Sequence, residues 1–217
     1  MEPLTFSAIQ QALIHLPRTS FGVSIPALRK LAKKIAQGNY QDFLEHNPNH
    51  THEERLLHAF VIGYIQADIK ELLRYFKAFI PYVDSWDVTD SLCQNFKMAR
   101  QFPQETWHFM LQYTHSAKEF ESRIVSVLLL SHFLNDVYID QVLEVLNTLN
   151  TDKYYSQMGV AWAVATIMGK YPAKCKAYLL SPACLLDSTT YQKSLQKIRE
   201  SLRVPADIKK WTLRVVK

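Results

Sequence analysis

Asp84-Ser85-Trp86-Asp87-Val88-Thr89-Asp90-Ser91-Leu92-Cys93 is the stretch on which the reading of this chain turns. Asp84 and Ser85 are both of N-cap type, so a helix should open at about Trp86. Trp86 and Asp90 then stand four residues apart on one helix face. An exposed indole one turn from a carboxylate attracts a cation, the ring through its quadrupole and the carboxylate through its charge. Asp87 is a first-turn acid that suits the helix dipole. Asp90 lies beyond the first turn, where Asp is a poor helix former, so capping gives it no reason to be there. The plainer alternative is a core Trp beside a solvated Asp.

Outward from this stretch the chain reads as all-α. Glycine is scarce, 5 in 217 residues, and the Asn-Gly and Asp-Gly pairs that close hairpins are absent. Apolar residues recur at helical spacing instead. A first amphipathic helix is expected over 5–16, with Phe6, Ile9, Leu13 and Leu16 on one stripe and Pro17 ending it. A second is expected over 26–37, with Pro26 at its first position and Gly38 closing it. It carries Leu28, Leu31 and Ile35 on one side and Arg29, Lys30, Lys33 and Lys34 around the other.

From residue 40 onward a period emerges. Helices of one type are expected over 53–65, 86–96, 120–133, 155–168 and 191–201. Helices of a second type begin near Asp68, Pro103, Asp136, Pro172 and Pro205, at spacings of 35, 33, 36 and 33 residues. A helix pair at this interval is the period of an α-α superhelix, a solenoid, though somewhat short for a HEAT unit, here one domain over 1–217. An irregular helical bundle is the alternative. In a solenoid, helices of equal rank line one surface, so Trp86, Asp90, Arg123 and Trp162 could converge on a concave patch. Small neighbours in Gly159-Val160-Ala161-Trp162-Ala163 leave the Trp162 ring room, and Arg123 beside the apolar run 124–130 asks for an anionic partner.

Charge and cysteine usage narrow the partners. The net charge of +5 is mild, but from Tyr191 to Lys217 eight basic residues, Lys197 and Arg199 among them, face two acids, which gives +6 in that segment alone. A basic end on a helical protein suits a polyanion; a solvated tail is the alternative. Cys93, Cys175 and Cys184 form no Cys-x-x-Cys pair, so neither a disulfide framework nor a zinc knuckle is expected. His46, His50, His52, Glu53, Glu54 and His58 cluster, yet a zincin motif from His52 would need His where Leu56 stands. No metal and no cofactor is therefore expected. The apolar runs are too short to span a membrane, and the first residues lack the pattern of a signal peptide, so a cytoplasmic protein is expected. A solenoid with polar ends is usually a monomer, and that is the expected state here.

With these residues in order, the chain resembles the bacterial DNA alkylation repair family of AlkD-like alkylpurine DNA glycosylases. The resemblance covers most of the chain. Phe21-Gly22-Val23-Ser24-Ile25-Pro26-Ala27-Leu28-Arg29 is similar to the family's Gly-Val-x-x-Pro-x-x-Arg opening, and Ser85-Trp86-Asp87-Val88-Thr89-Asp90-Ser91 to its Trp-Asp-x-x-Asp-Ser core. Arg123 stands where the family has an Arg before an apolar helix. The segment from Tyr155 to Trp162 resembles the one that ends in the family's second Trp. The resemblance implies a HEAT-like superhelix that grips duplex DNA and cleaves the N-glycosidic bond of cationic N3- or N7-alkylpurines, without turning the base into a deep pocket. It implies that Trp86 and Trp162 lie against the sugar of the lesion, that Asp90 is the catalytic carboxylate and that Arg123 holds the backbone. Arg29, Lys197 and Arg199 would add phosphate contacts. One place departs from the pattern: Ala165-Thr166 stand where active members resemble one another in carrying Arg-Glu. A non-catalytic HEAT-like module that binds DNA or a protein is the alternative.

Overall fold

The structure is a computed structural model, and it describes residues 22–215. The helix expected over 5–16 lies outside the described residues. Within them the chain is all helical, with thirteen α-helices, one 3-10 turn and no strand. It forms two compact units, one ending at Thr106 and one starting at Trp107.

In the first unit, α1 (Ile25–Ala36) carries Pro26 in its first turn, where the missing N–H costs nothing. It buries Leu28, Ala32 and Ile35. The short α2 (Tyr40–His46) opens where the Asn39 side chain accepts the Asp42 N–H. α3 (His52–Tyr64) starts at a capping box: Thr51 accepts from the Glu54 N–H, and the Glu54 carboxylate reaches back to the Thr51 N–H. Its residues from Leu56 to Gly63 are all buried, which fits a helix that is apolar on every side. α4 (Ile69–Phe79) follows an Asp68 cap and runs into a 3-10 turn, Ile80–Tyr82. α5 (Trp86–Asn95), α6 (Met98–Gln101) and α7 (Pro103–Leu111) complete the run, the two units dividing within α7. α3 is the centre of this unit, packed on α1 to one side and α5 to the other. The α3–α5 contact is close enough to demand glycine: a Cβ on Gly63 would stand 2.5 Å from the Asn95 Cβ.

The second unit repeats the construction. α8 (Glu119–His132), α9 (Ile139–Leu146), α10 (Tyr154–Lys170), α11 (Pro172–Leu180), α12 (Ser188–Glu200) and α13 (Ala206–Trp211) follow in order. α10 is the central helix, packed on α8 and on α12. A Cβ on Gly159 would lie 2.3 Å from the Ser126 Oγ, so the α8–α10 approach again rests on glycine.

The expected period is present in these bounds. Pro103 and Pro172 open helices at the positions read from sequence. α9 begins three residues after Asp136, because Asn135 first forms a turn in which its side chain accepts the Val137 and Tyr138 N–H groups. α12 begins three residues before Tyr191, because Asp187 caps it by accepting the Thr190 N–H at 2.9 Å.

Candidate functional site

The expected site residues fall on both units. Trp86 and Asp90 are on α5 and Arg29 is on α1, all in the first unit. Arg123, Trp162, Lys197 and Arg199 are on α8, α10 and α12 in the second.

Trp86 is the first residue of α5 and is 51% exposed, which sets aside the reading of it as a core Trp. Asp90, one turn on, is 7% exposed, so it is not a solvated surface acid. A half-open indole beside a nearly buried carboxylate is the arrangement that favours positive charge, because a carboxylate withdrawn from water acts through a lower dielectric. Asp87 has a stronger reason for its place than the helix dipole. Its Oδ2 lies 2.8 Å from the His52 Nε2, and its Oδ1 accepts the Val88 N–H at 3.0 Å. Burial works against ionisation of Asp87, but the Ser85 hydroxyl, the His52 imidazole and the Val88 N–H together outweigh it and hold the carboxyl below its ordinary range.

Arg29 reaches the far end of the same helix. Its Nη1 donates to the Asn95 Oδ1 at 2.9 Å and to the Tyr64 hydroxyl at 3.0 Å, and its guanidinium lies 4.3 Å over the Phe60 ring. It thus joins α1, α3 and α5. Lys30, Lys33 and Lys34 are the exposed basic residues of α1.

In the second unit Arg123 is buried, 5% exposed, at the start of α8. Its Nη1 donates to the Tyr155 carbonyl of α10 at 3.0 Å, so one partner of this arginine is a backbone oxygen where an anion was expected. Tyr155 is fastened on its other side, its N–H donating to the Glu119 carboxylate at 2.6 Å and its ring stacking on Phe120 at 5.6 Å. Trp162 is half-buried two turns further along α10. Tyr155, Met158, Trp162 and Thr166 share its partly open stripe, while Val160, Ala161, Ala163 and Val164 are buried. Ala165 is buried, and the Thr166 hydroxyl donates to the Trp162 carbonyl at 2.8 Å, so no charged side chain follows the Trp on this helix turn.

Lys197 pairs with Glu200 at 2.6 Å on the outer side of α12, and the Arg199 Nη1 reaches the Thr212 hydroxyl at 3.4 Å. Lys193 lies 4.9 Å over the Tyr154 ring. The histidine cluster is dispersed among structural tasks. His58 stacks on Phe79 with ring centroids 4.2 Å apart, Glu54 caps α3, Glu53 accepts the Gly22 N–H, and His52 meets Asp87. Among the described residues no three His, Cys, Asp or Glu side chains are grouped to hold a metal.

Sequence reading did not find the side chains that grip the start of α5. His52 pairs with Asp87, and the Arg55 Nε lies 3.1 Å from the Asp84 Oδ1. The signal was the matching interval: a basic pair three apart at the head of α3, and an acidic pair three apart around Trp86.

A family model described as DNA alkylation repair enzyme matches residues 7–198. No curated protein and no solved structure matches the chain.

Proposed function

The chain belongs to the DNA alkylation repair enzyme family, and from that premise we propose that it is a DNA glycosylase acting on cationic N3- or N7-alkylpurines in duplex DNA. The observation that carries the reading is the α5 pair, a half-exposed Trp86 one turn from a nearly buried Asp90. An alkylated purine of this kind already bears positive charge and leaves without a strong general acid. When the N-glycosidic bond breaks, its electron pair moves to the base and neutralises it, and charge develops on the sugar as an oxocarbenium. Asp90 is the catalytic carboxylate that stabilises that charge and orients the water that adds to C1′, the water's proton passing to solvent. Trp86 and Trp162 add cation–π attraction against the sugar, so no deep pocket for the base is required.

Arg123, buried and fastened to α10, holds the backbone beside the lesion. Lys197 and Arg199 contact phosphates; a partly exposed ion pair such as Lys197–Glu200 is weak enough to be exchanged for a phosphate. The hydrogen bonds of Arg29 to Tyr64 and Asn95 both run from Nη1, and a guanidinium has five N–H donors, so it too can offer a phosphate contact. The reading places no metal or cofactor in the reaction.

Ala165 and Thr166 support a second reading, a HEAT-like module that binds DNA or a protein partner without turnover, since the Thr166 hydroxyl is folded back on its own helix. Release of methylated purines from methylated duplex DNA separates the two. The glycosylase reading expects release by wild type and a fall of about 10²- to 10³-fold in Asp90→Asn, with folding and duplex binding retained. Undiminished release by Asp90→Asn overturns the assignment of Asp90, and no release by folded wild-type protein favours the binding module.

A further inference from the structure

The first turn of α5 is not held by the usual device. A helix that opens after Ser is ordinarily fastened by the hydroxyl, but the Ser85 side chain makes no capping bond to the N–H groups of α5. Nor does packing fix the turn from the Trp86 side, because that ring is half exposed.

Within α5 the Thr89 hydroxyl donates to the Ser85 carbonyl at 2.7 Å and the Ser85 hydroxyl acts on the Asp87 carboxyl; from outside the helix, the grip on the turn comes from α3. Asp87 Oδ2 lies 2.8 Å from the His52 Nε2, and Asp84 Oδ1 lies 3.1 Å from the Arg55 Nε. The pairing is crossed, the first basic residue meeting the second acid and the second basic residue the first. Trp86 falls in sequence between the two bridged carboxylates. The α3 side of the clamp is itself braced. Thr51 and Glu54 close the capping box around His52, and the Arg55 Nη1 donates to the Asn49 and His50 carbonyls at 2.8 and 3.2 Å. Asn49, with φ of 55°, supplies the left-handed turn that brings those carbonyls round.

We propose that His52 and Arg55 are positioning residues for the Trp86–Asp90 face, setting through Asp87 and Asp84 the angle at which α5 presents its indole to the sugar. This rests on the reading of that face as the reacting one. The two pairs are partly exposed, and ion pairs of that kind contribute little to global stability. Removing one therefore loosens the turn and leaves the fold standing. A catalytic face held by a clamp of this kind loses rate when the clamp is opened, because small displacements of a positioned group are costly to the reaction.

The test uses the full chain with 15N-labelled indoles, whose four Trp give four signals to assign, and methylated duplex DNA. His52→Ala is expected to shift and broaden the Trp86 indole resonance and to leave those of Trp107 and Trp211 in place. It is also expected to slow single-turnover release of methylated purine about tenfold, with duplex affinity within about twofold of wild type. His52→Gln, whose amide still donates to Asp87, restores both. A wild-type Trp86 resonance in His52→Ala overturns the proposal, whatever the rate. Absence of purine release by wild type overturns the glycosylase reading instead, and the resonance then decides the positioning role by itself.

Discussion

At the scale of single residues, His58 shows how burial sets a charge state. It is 4% exposed, stacked on Phe79, and its Nδ1 accepts the Asn47 Nδ2 amide at 3.2 Å. Desolvation pushes its pKa down from 6.5 to about 3, so the folded protein holds it neutral. The unfolded chain takes up a proton below pH 6.5 and the folded one does not. Stability is therefore complete above that pH and falls as the pH drops toward 3. Between pH 6.5 and 4.5 the loss from this one group is about 2–3 kcal/mol. Asp87 and Asp187, both held below the ordinary carboxylate range, lose their contribution lower down, as pH falls past 3.8. His58→Phe should keep the stacking, leave the Asn47 amide bonded to the Asn49 side chain and the Glu54 carbonyl, and flatten the curve in the upper window. Urea unfolding of both proteins at pH 6.5 and 4.5 checks it; equal losses in the two would refute the assignment. Local spacing made Trp86 and Asp90 legible, since a four-residue interval places two side chains on one face. The tasks of His52 and His58 were not, because each depends on a residue 21 or more positions away, Asp87 or Phe79, and a cluster in sequence scattered once α3 wound.

At the scale of elements, the two central helices are built on close approaches. Gly159 faces the Ser126 Oγ, which in turn donates to the Arg123 carbonyl at 2.9 Å. Gly159→Ala forces a methyl group to within 2.3 Å of that hydroxyl and 3.3 Å of the Arg123 Cγ. A loss of about 1–3 kcal/mol is expected from the overpacking. Adding Ser126→Ala removes the offending oxygen and leaves the Ser126 Cβ 3.5 Å away, an ordinary contact, so the double variant should recover most of the loss. Denaturant midpoints for the two single variants and the double supply the cycle; an additive result would mean that the clash is relieved elsewhere. Proline starts at 103 and 172 were readable because Pro belongs in a first helical turn and nowhere else in a helix. The short α2 and α6 were not, since four to seven residues carry too few turns for a periodic stripe. Nor could sequence choose the open side of α10. Gly159 to Ala165 is apolar all round, and packing on α8 and α12 leaves only the Tyr155–Trp162 stripe partly open.

At the scale of the whole molecule, each unit repeats one construction, an apolar helix flanked by two neighbours, α3 between α1 and α5 and α10 between α8 and α12. Such scaffolds leave charge as the variable that sets what the surface attracts. The net charge of +5 is modest for a polyanion binder, and the basic surplus is concentrated in the last stretch of chain, from Tyr191 on. Part of that surplus is already engaged, Lys193 over Tyr154 and Lys197 with Glu200. Lys197 holds the Glu200 carboxyl below its ordinary range, yet both groups are open to solvent and the pair is readily exchanged. If Lys197 and Arg199 each neutralise one phosphate, binding of duplex DNA releases the counterions of two. Replacing both by Gln should then lower the slope of log affinity against log salt by about 1.8, weaken binding most at low salt, and leave any preference for alkylated over plain duplex unchanged. Fluorescence anisotropy with a labelled duplex over a salt series measures this. A slope unaltered by the double replacement would move the phosphate contacts off α12. Steepness carried instead by Lys30, Lys33 and Lys34 would then place them on the exposed basic side of α1.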